Sequence, residues 1–328
     1  MIRLLKLVPD DTNIGFLKWR NIAIGISILL TIGSMVLVAQ RGLNFGVDFV
    51  GGQMIRTTFT QSAEAPIGDL RDKVSDLGYG DPIIQRFGDA NEVSIRMKLP
   101  EGSAETPELA NQMADAITGM MQDTYPGVRI DGVDSVSGKV SEELMSKGIW
   151  SLVGAMAAIT LYIWIRFEWQ FGLGAIFALS HDVAMTFGFF ALTQLEFDLN
   201  IVAALLTIIG YSLNDTIVIY DRVRENLMKY RKMDIIPLLD LSINETLART
   251  VMTSLTTLVA LTALLVWGAD ATFGFAAAMA LGVVVGTYST VYMAGPVLVW
   301  LKVGPDSFVP VDSGEKKSER VGGPEEVG

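Results

Sequence analysis

Apolar residues run almost unbroken at six places: Asn21–Gln40, Gly148–Ile165, Phe171–Leu195, Leu199–Tyr220, Thr250–Ala269 and Ala271–Leu301. A hydrocarbon core roughly 30 Å thick takes about 20 apolar residues in a helix, so each run predicts a membrane-spanning helix. Between the first and second runs the pattern changes to short alternations. Val47–Thr60 reads as a strand, Pro66–Leu77 as a helix, Asp81–Phe87 and Glu92–Leu99 as strands around a Gly88-Asp89 turn, Thr106–Tyr125 as a helix and Val128–Val136 as a strand. That succession, βαββαβ, predicts a ferredoxin-like α+β domain over 41–147, inserted into an all-α bundle of six transmembrane helices. The remainder is a terminal segment 1–20, a polar connection 221–249 and a tail 302–328.

Composition agrees with the pattern. Half of the 328 residues are hydrophobic and 19% are charged, with a mean hydropathy of +0.41, which sets the chain apart from soluble enzymes. Lys and Arg near span ends mark the cytoplasmic side. Arg3, Lys6, Lys18 and Arg20 precede the first span, Arg166 follows the second, and Arg222, Arg224, Lys229, Arg231, Lys232 and Arg249 crowd the connection between the fourth and fifth. Both termini are therefore expected in the cytoplasm, with the inserted domain outside. Trp favours the membrane interface, and Trp19, Trp150, Trp164, Trp169, Trp267 and Trp300 all fall at span ends. The first run is too long for the apolar core of a cleavable signal, and no A-x-A-like site follows it, so it reads as a retained helix.

Three segments carry smaller expectations. The domain over 41–147 holds nearly twice as many Asp and Glu as Lys and Arg, a charge that repels phosphates, so a protein-facing surface is expected and a nucleic acid is not. The apolar residues Ile235, Ile236, Leu238, Leu239, Leu241 and Ile243 follow a basic patch, which fits either a helix lying in the interface or a loop folded against the bundle. The tail is rich in Gly, Pro, Glu and Lys and predicts disorder.

Candidate chemistry lies in the ionisable residues of the spans, which are expensive in a bilayer and are functional candidates for that reason. Asp215 interrupts the fourth span, Arg249 opens the fifth, and His181 and Asp182 sit in the third. Counting at about 1.5 Å per residue puts Asp215 roughly 9 Å above Asp221, at the level where Arg249 enters. Alternation of Asp215 between a state paired with Arg249 and an unpaired one would load and unload a proton; a static pair that locks helix register is the plainer alternative. His181 is the only histidine. Neighbours on a helix point about 100° apart, so His181 and Asp182 are not expected to share one contact. Asn214 and Ser212, with Thr253 and Thr257, supply hydroxyls and an amide nearby, either relaying protons or gluing helices. Gly274, Ala278, Gly282 and Gly286 form a small-xxx-small face that predicts close helix packing.

Other chemistry is excluded by motif. Gly132 to Gly138-Lys139 has five intervening residues and Val140 where a phosphate loop needs four and Ser or Thr; H-E-x-x-H and nucleophile-elbow patterns do not occur, and there is no cysteine for disulfides or thiolate sites. No cofactor, metal or enzyme-type catalytic site is predicted. Work by such a chain draws on the membrane gradient, worth about 2.3 kcal/mol per charge per 100 mV.

The run Arg41-Gly42-Leu43-Asn44-Phe45-Gly46-Val47-Asp48-Phe49-Val50-Gly51-Gly52, then Ser180-His181-Asp182, Gly210 through Val218, Asp221 through Asn226, Ile243 through Leu247 with Arg249-Thr250, and Gly286-Thr287-Tyr288-Ser289, resembles the SecD/SecF family of bacterial protein-export membrane proteins. The likeness covers about residues 14–302 in order. It implies an RND-type half that pairs with a SecD half, and action with the SecYEG channel, SecA, YajC and YidC on a translocating preprotein in the lipid bilayer. It also implies proton-motive force as the driver, with Asp215 aligned to the family's intramembrane Asp and Arg249 to its Arg. Two other readings stay open: a proton-coupled exporter of small molecules or lipids, and a structural scaffold.

Overall fold

The computed structural model describes residues 8–9, 12–86, 89–98 and 107–304. Arg3, Lys6, Gly88 of the expected turn, and the tail from 305 onward lie outside them. Among the described residues, six helical segments are long and apolar enough to cross a membrane: Phe16–Arg41, Gly138–Arg166, Trp169–Thr193, Leu199–Lys229, Ile235–Trp267 and Ala271–Trp300. The helices are α1 (Arg20–Arg41), α2 (Val47–Val50), α3 (Ile67–Asp76), α4 (Pro107–Thr124), α5 (Gly138–Arg166), α6 (Trp169–Thr193), α7 (Leu199–Lys229), α8 (Ile235–Trp267), α9 (Asp270–Ser289) and α10 (Gly295–Trp300). All six Trp side chains are more than half exposed, five of them at helix ends and Trp150 inside α5, near the start of its apolar run.

Strands β1 (Gly52–Phe59), β2 (Ile83–Arg86), β3 (Glu92–Met97) and β4 (Val128–Val136) form one antiparallel sheet in the order β2-β3-β1-β4. Helices α3 and α4 supply Leu70, Val74, Met113, Ile117 and Met121 to its core, against Ile55, Phe59, Val93, Ile95 and Met97. The opposite face is polar, with Thr58 Oγ1 donating to Asp131 Oδ2 at 2.5 Å and Arg56 bonded to Asp134.

The structure departs from expectation in four places. Val47–Val50 is a helical turn and not the start of a strand, because Gly51 (φ +72°) and Gly52 (φ +115°) turn the chain at the entry to β1. A Cβ on Gly52 would stand 2.2 Å from the Met97 carbonyl oxygen, so only glycine lets β1 enter beside β3. Helix α5 starts ten residues before its apolar run, at Gly138, capped by Ser137 accepting from Val140 N at 3.4 Å. The apolar stretch at 235–243 is the start of α8, with Leu238, Leu239 and Ile243 buried against Leu17, Tyr220 and Leu227. The α7–α8 hairpin thus continues beyond the apolar runs, tied by Arg222 Nε to Glu245 Oε2 at 2.7 Å and Asn226 Nδ2 to Ser242 Oγ at 3.0 Å. Finally, the last span is interrupted by a π-helical turn, Thr290–Ala294. Pro296 lies four residues after Tyr292, where its ring would meet the Tyr292 carbonyl in a regular α-helix, and one extra residue in the turn relieves that clash.

The glycine stripe packs as expected. A Cβ on Gly282 would lie 2.4 Å from Ile208 Cγ1, and one on Gly286 3.0 Å from Ser212 Cβ, so α9 lies directly on α7. Gly188 brings α6 against α1 in the same way, with its added Cβ 2.9 Å from Ser34 Cα.

Candidate functional site

Close packing of α9 on α7 brings the polar side chains of the spans into one layer. Asp182 is its hub. Its Oδ2 accepts from Ser212 Oγ on α7 at 2.6 Å and from Ser289 Oγ at the end of α9 at 2.8 Å, while its Oδ1 lies 3.0 Å from His181 Nδ1. The two neighbours on α6 therefore do meet: 100° separates their Cα–Cβ directions, but side-chain torsions swing the imidazole edge onto the carboxylate. Both residues are buried, and the distal His181 Nε2 has no hydrogen-bond partner. Because a carboxylate accepting two hydroxyls offers Oδ1 as an acceptor, Nδ1 is the nitrogen that donates.

One turn further along α7, Thr216 Oγ1 lies 3.0 Å from Thr290 Oγ1 in the π turn, and a turn beyond that Tyr220 Oη donates to the Ala294 carbonyl at 3.3 Å. The bulge thus presents a hydroxyl and a carbonyl to α7. On its other side, Tyr211 Oη reaches Ser254 Oγ at 3.3 Å, and Ser254 Oγ lies 2.8 Å from Thr287 Oγ1.

Asp215 stands beside this layer without joining it. Its side chain is 2% exposed, and Oδ2 accepts no hydrogen bond. Thr250 Oγ1 on α8 is also buried and unpartnered. The end of α7–α8 away from the sheet holds a polar cavity of about 450 Å³ lined by Val218, Asp221, Arg222, Glu225, Glu245, Thr246 and Arg249. Val218 is one turn from Asp215. Arg249 lies in this cavity among carboxylates, exposed, and no ion pair or hydrogen bond joins it to Asp215 among the described residues. Of the supporting residues, Ser212 belongs to the hub. Thr253 and Thr257 bond only to carbonyls of their own helix, at 2.9 Å each, and Asn214 faces outward from the bundle.

Sequence reasoning did not single out Ser289, Thr290 or Thr287 as site residues. Their signal was a cluster of hydroxyls breaking the last apolar run just before Pro296. No group of three or more metal-ligating His, Cys, Asp or Glu side chains occurs among the described residues.

At the other end, α6 joins α7 through residues 194–198, and two carboxylates there are partly withdrawn from water. Burial pushes the Glu196 carboxyl up, with the Arg96 charge opposing, and burial likewise pushes Asp198 up, opposed by its hydrogen bond from the Ile201 amide.

Comparisons with known proteins cover almost the whole chain. The family model "Protein export membrane protein SecD/SecF, C-terminal" matches residues 116–304, and the "SecD/SecF GG Motif" matches 36–63. A protein translocase subunit SecF from Rhodobacter capsulatus is 45% identical over 310 residues, covering 90% of this chain and 91% of that protein. Another from Pseudomonas aeruginosa is 40% identical over 308 residues, covering 94% and 98%. Among solved structures, SecDF from Thermus thermophilus, a translocon-associated membrane protein, superposes with a TM-score of 0.80 at 31% identity over 89% of this chain. This chain spans only 39% of that SecDF chain. Six apolar helices and these similarities make the protein a multi-pass membrane protein.

Proposed function

The chain belongs to the SecD/SecF family of protein-export membrane proteins, and on that premise we propose that it is a proton-coupled accessory subunit of the Sec translocase. It is a transport component and not an enzyme. In this reading it pairs with a SecD partner, as the joined SecDF structure suggests, and the pair assists SecYEG and SecA, with YajC and YidC alongside, in late steps of preprotein export. The basic residues at span ends support a reading in which both termini are cytoplasmic and the sheet lies outside the inner membrane. The order βαββαβ and the sheet order β2-β3-β1-β4 support a ferredoxin-like fold for that outer domain.

One observation carries the coupling role: Asp215 is buried in the bundle with an oxygen that accepts no hydrogen bond, one turn from a polar cavity that opens toward the basic end. A static structural carboxylate would be saturated, as Asp182 is. Asp215 is instead placed to exchange a proton with water in the cavity, and Arg249, free of a contact pair with it, is placed to approach the ionised form and withdraw from the neutral one. Asp182 and His181 then act as a lock that holds α6, α7 and α9 in register while Asp215 changes state.

Asp215→Asn keeps the shape and removes the titration. Inverted vesicles carrying this variant and its SecD partner are expected to lose the gradient-stimulated part of preprotein export while the two subunits still copurify. Undiminished stimulation in the variant would move the proton path elsewhere.

A further inference from the structure

The run Asn44–Gly52 lies far from Asp215 and takes no part in proton exchange; its helical turn Val47–Val50 packs on α5, and a second set of hydrogen bonds and ring contacts joins the run to residues 194–201. Phe197 N donates to the Asn44 carbonyl at 2.8 Å, and Gly46 N to the Phe197 carbonyl at 2.9 Å, a parallel bridge between the segment entering the sheet and the α6–α7 connection. Asn44 Nδ2 donates to the Gln194 carbonyl at 2.9 Å and to Gln85 Oε1 of β2 at 3.0 Å. The rings of Phe45, Phe49 and Phe197 pack with centroids 5.8, 6.0 and 6.1 Å apart. Two charged groups complete the set. Arg96 of β3, 7% exposed, donates to the Phe45 carbonyl at 2.7 Å and to Asn44 Oδ1 at 3.2 Å, and its Nη2 lies 3.5 Å from Glu196 Oε1. Asp48 Oδ2 accepts from Leu199 N at 3.0 Å, beside the helix's own cap, where Asp198 Oδ1 accepts from Ile201 N at 3.1 Å.

Helix α7 therefore has two carboxylates on its first turn, and one of them comes from the segment that leads into β1. A carboxylate at a helix N-terminus satisfies free amides and meets the positive end of the helix dipole. The same helix runs without a break to Ser212 and Asp215, roughly 24 Å away at about 1.5 Å per residue.

We infer that Asp48 and Arg96 are positioning residues that clasp the outer sheet to the N-terminus of α7, so that a displacement of the helix carrying Asp215 is handed to the sheet. Glycine at position 46 is part of the clasp, since a Cβ there would stand 2.7 Å from Glu196 Oε1. The transmission half of the inference rests on Asp215 being the coupling site; the clasp itself does not.

The chain has no cysteine, so two introduced ones are its only labelling sites, and the pair is spin-labelled before the SecD partner is added. Asp123→Cys on α4 and Leu192→Cys on α6 are both at exposed positions, one on the sheet unit and one on the bundle. Electron–electron distance measurements on the full chain with its SecD partner in lipid nanodiscs are expected to give one narrow distribution. Adding Asp48→Ala and Arg96→Ala should at least double its width. Asp48→Asn, which keeps an acceptor for the Leu199 amide, should leave it narrow. Should the double variant not fold, Asp48→Ala alone is expected to show a smaller but measurable broadening. An unchanged width in the alanine variants overturns the clasp. Broadening accompanied by a gradient-stimulated export equal to wild type overturns transmission and leaves Asp215 untouched, because the Asp215→Asn chain, whose distribution should stay narrow, reports on the proton site separately.

Discussion

Asp182→Ala is expected to lower the unfolding stability of the purified chain by about 2–6 kcal/mol: three buried groups lose an acceptor, which at about 0.6 kcal/mol each within membranes totals about 2, while the two that have no other acceptor, at up to about 3 kcal/mol each in proteins generally, total about 6. The three groups are not equal. Ser289 Oγ already has a second acceptor in the Gly286 carbonyl at 3.1 Å and loses least. Ser212 Oγ donates to the carboxylate at 2.6 Å and is held there by the pressed contact with Gly286, so it cannot turn away freely. His181 loses most, because Nε2 already lacks a partner and the variant would leave neither ring nitrogen bonded in a buried site. Asp182→Asn keeps an oxygen for one donor, and its cost should be well under half of that of the alanine. Detergent-titrated unfolding of the full chain followed by circular dichroism measures both; a loss below about 1 kcal/mol in the alanine variant would show that the three helices are held without the hub.

Gly52→Ala is expected to detach the entry of β1 from β3. The position has φ +115°, a conformation costing about 1–3 kcal/mol for a residue with a side chain, and the new Cβ would stand 2.2 Å from a backbone oxygen that cannot rotate away. The register Gln53↔Met97 must then shift or open, and with it the seat of Arg96 on the same strand. Amide exchange over β1 and β3 should rise by at least ten-fold relative to wild type. Gly132→Ala, in β4 with open space around its Cβ position, is the matched control and should exchange as wild type does. Equal protection in both variants would mean that Gly52 is not what admits the strand.

Much of this architecture is legible in the sequence because bilayer thickness and strand alternation impose their periods on it. The six spans, the element order of the inserted domain and the packing face of Gly282 and Gly286 follow from that. Three features do not. The helical turn at Val47–Val50 reads as a strand from its β-branched and aromatic residues, and only the paired positive-φ glycines after it reveal the break. The ends of α5, α7 and α8 run past the apolar stretches, since a helix continues wherever its polar residues find bonds in water or in a neighbouring helix, as Asn226 does with Ser242. Within the site, depth along a helix is countable but side-chain direction is not. Asp215 and Arg249 share a level, yet the guanidinium lies with the carboxylates of the cavity. His181 and Asp182 diverge at Cβ and still meet at their tips.

The central claim is that Asp215 carries the coupling proton, and proton flux measures it most directly. Proteoliposomes holding this chain with its SecD partner, under an imposed pH gradient and with a pH dye inside, are predicted to show a flux that Asp215→Asn abolishes and that Arg249→Ala strongly reduces. A flux in the Asp215→Asn vesicles equal to wild type would contradict the account.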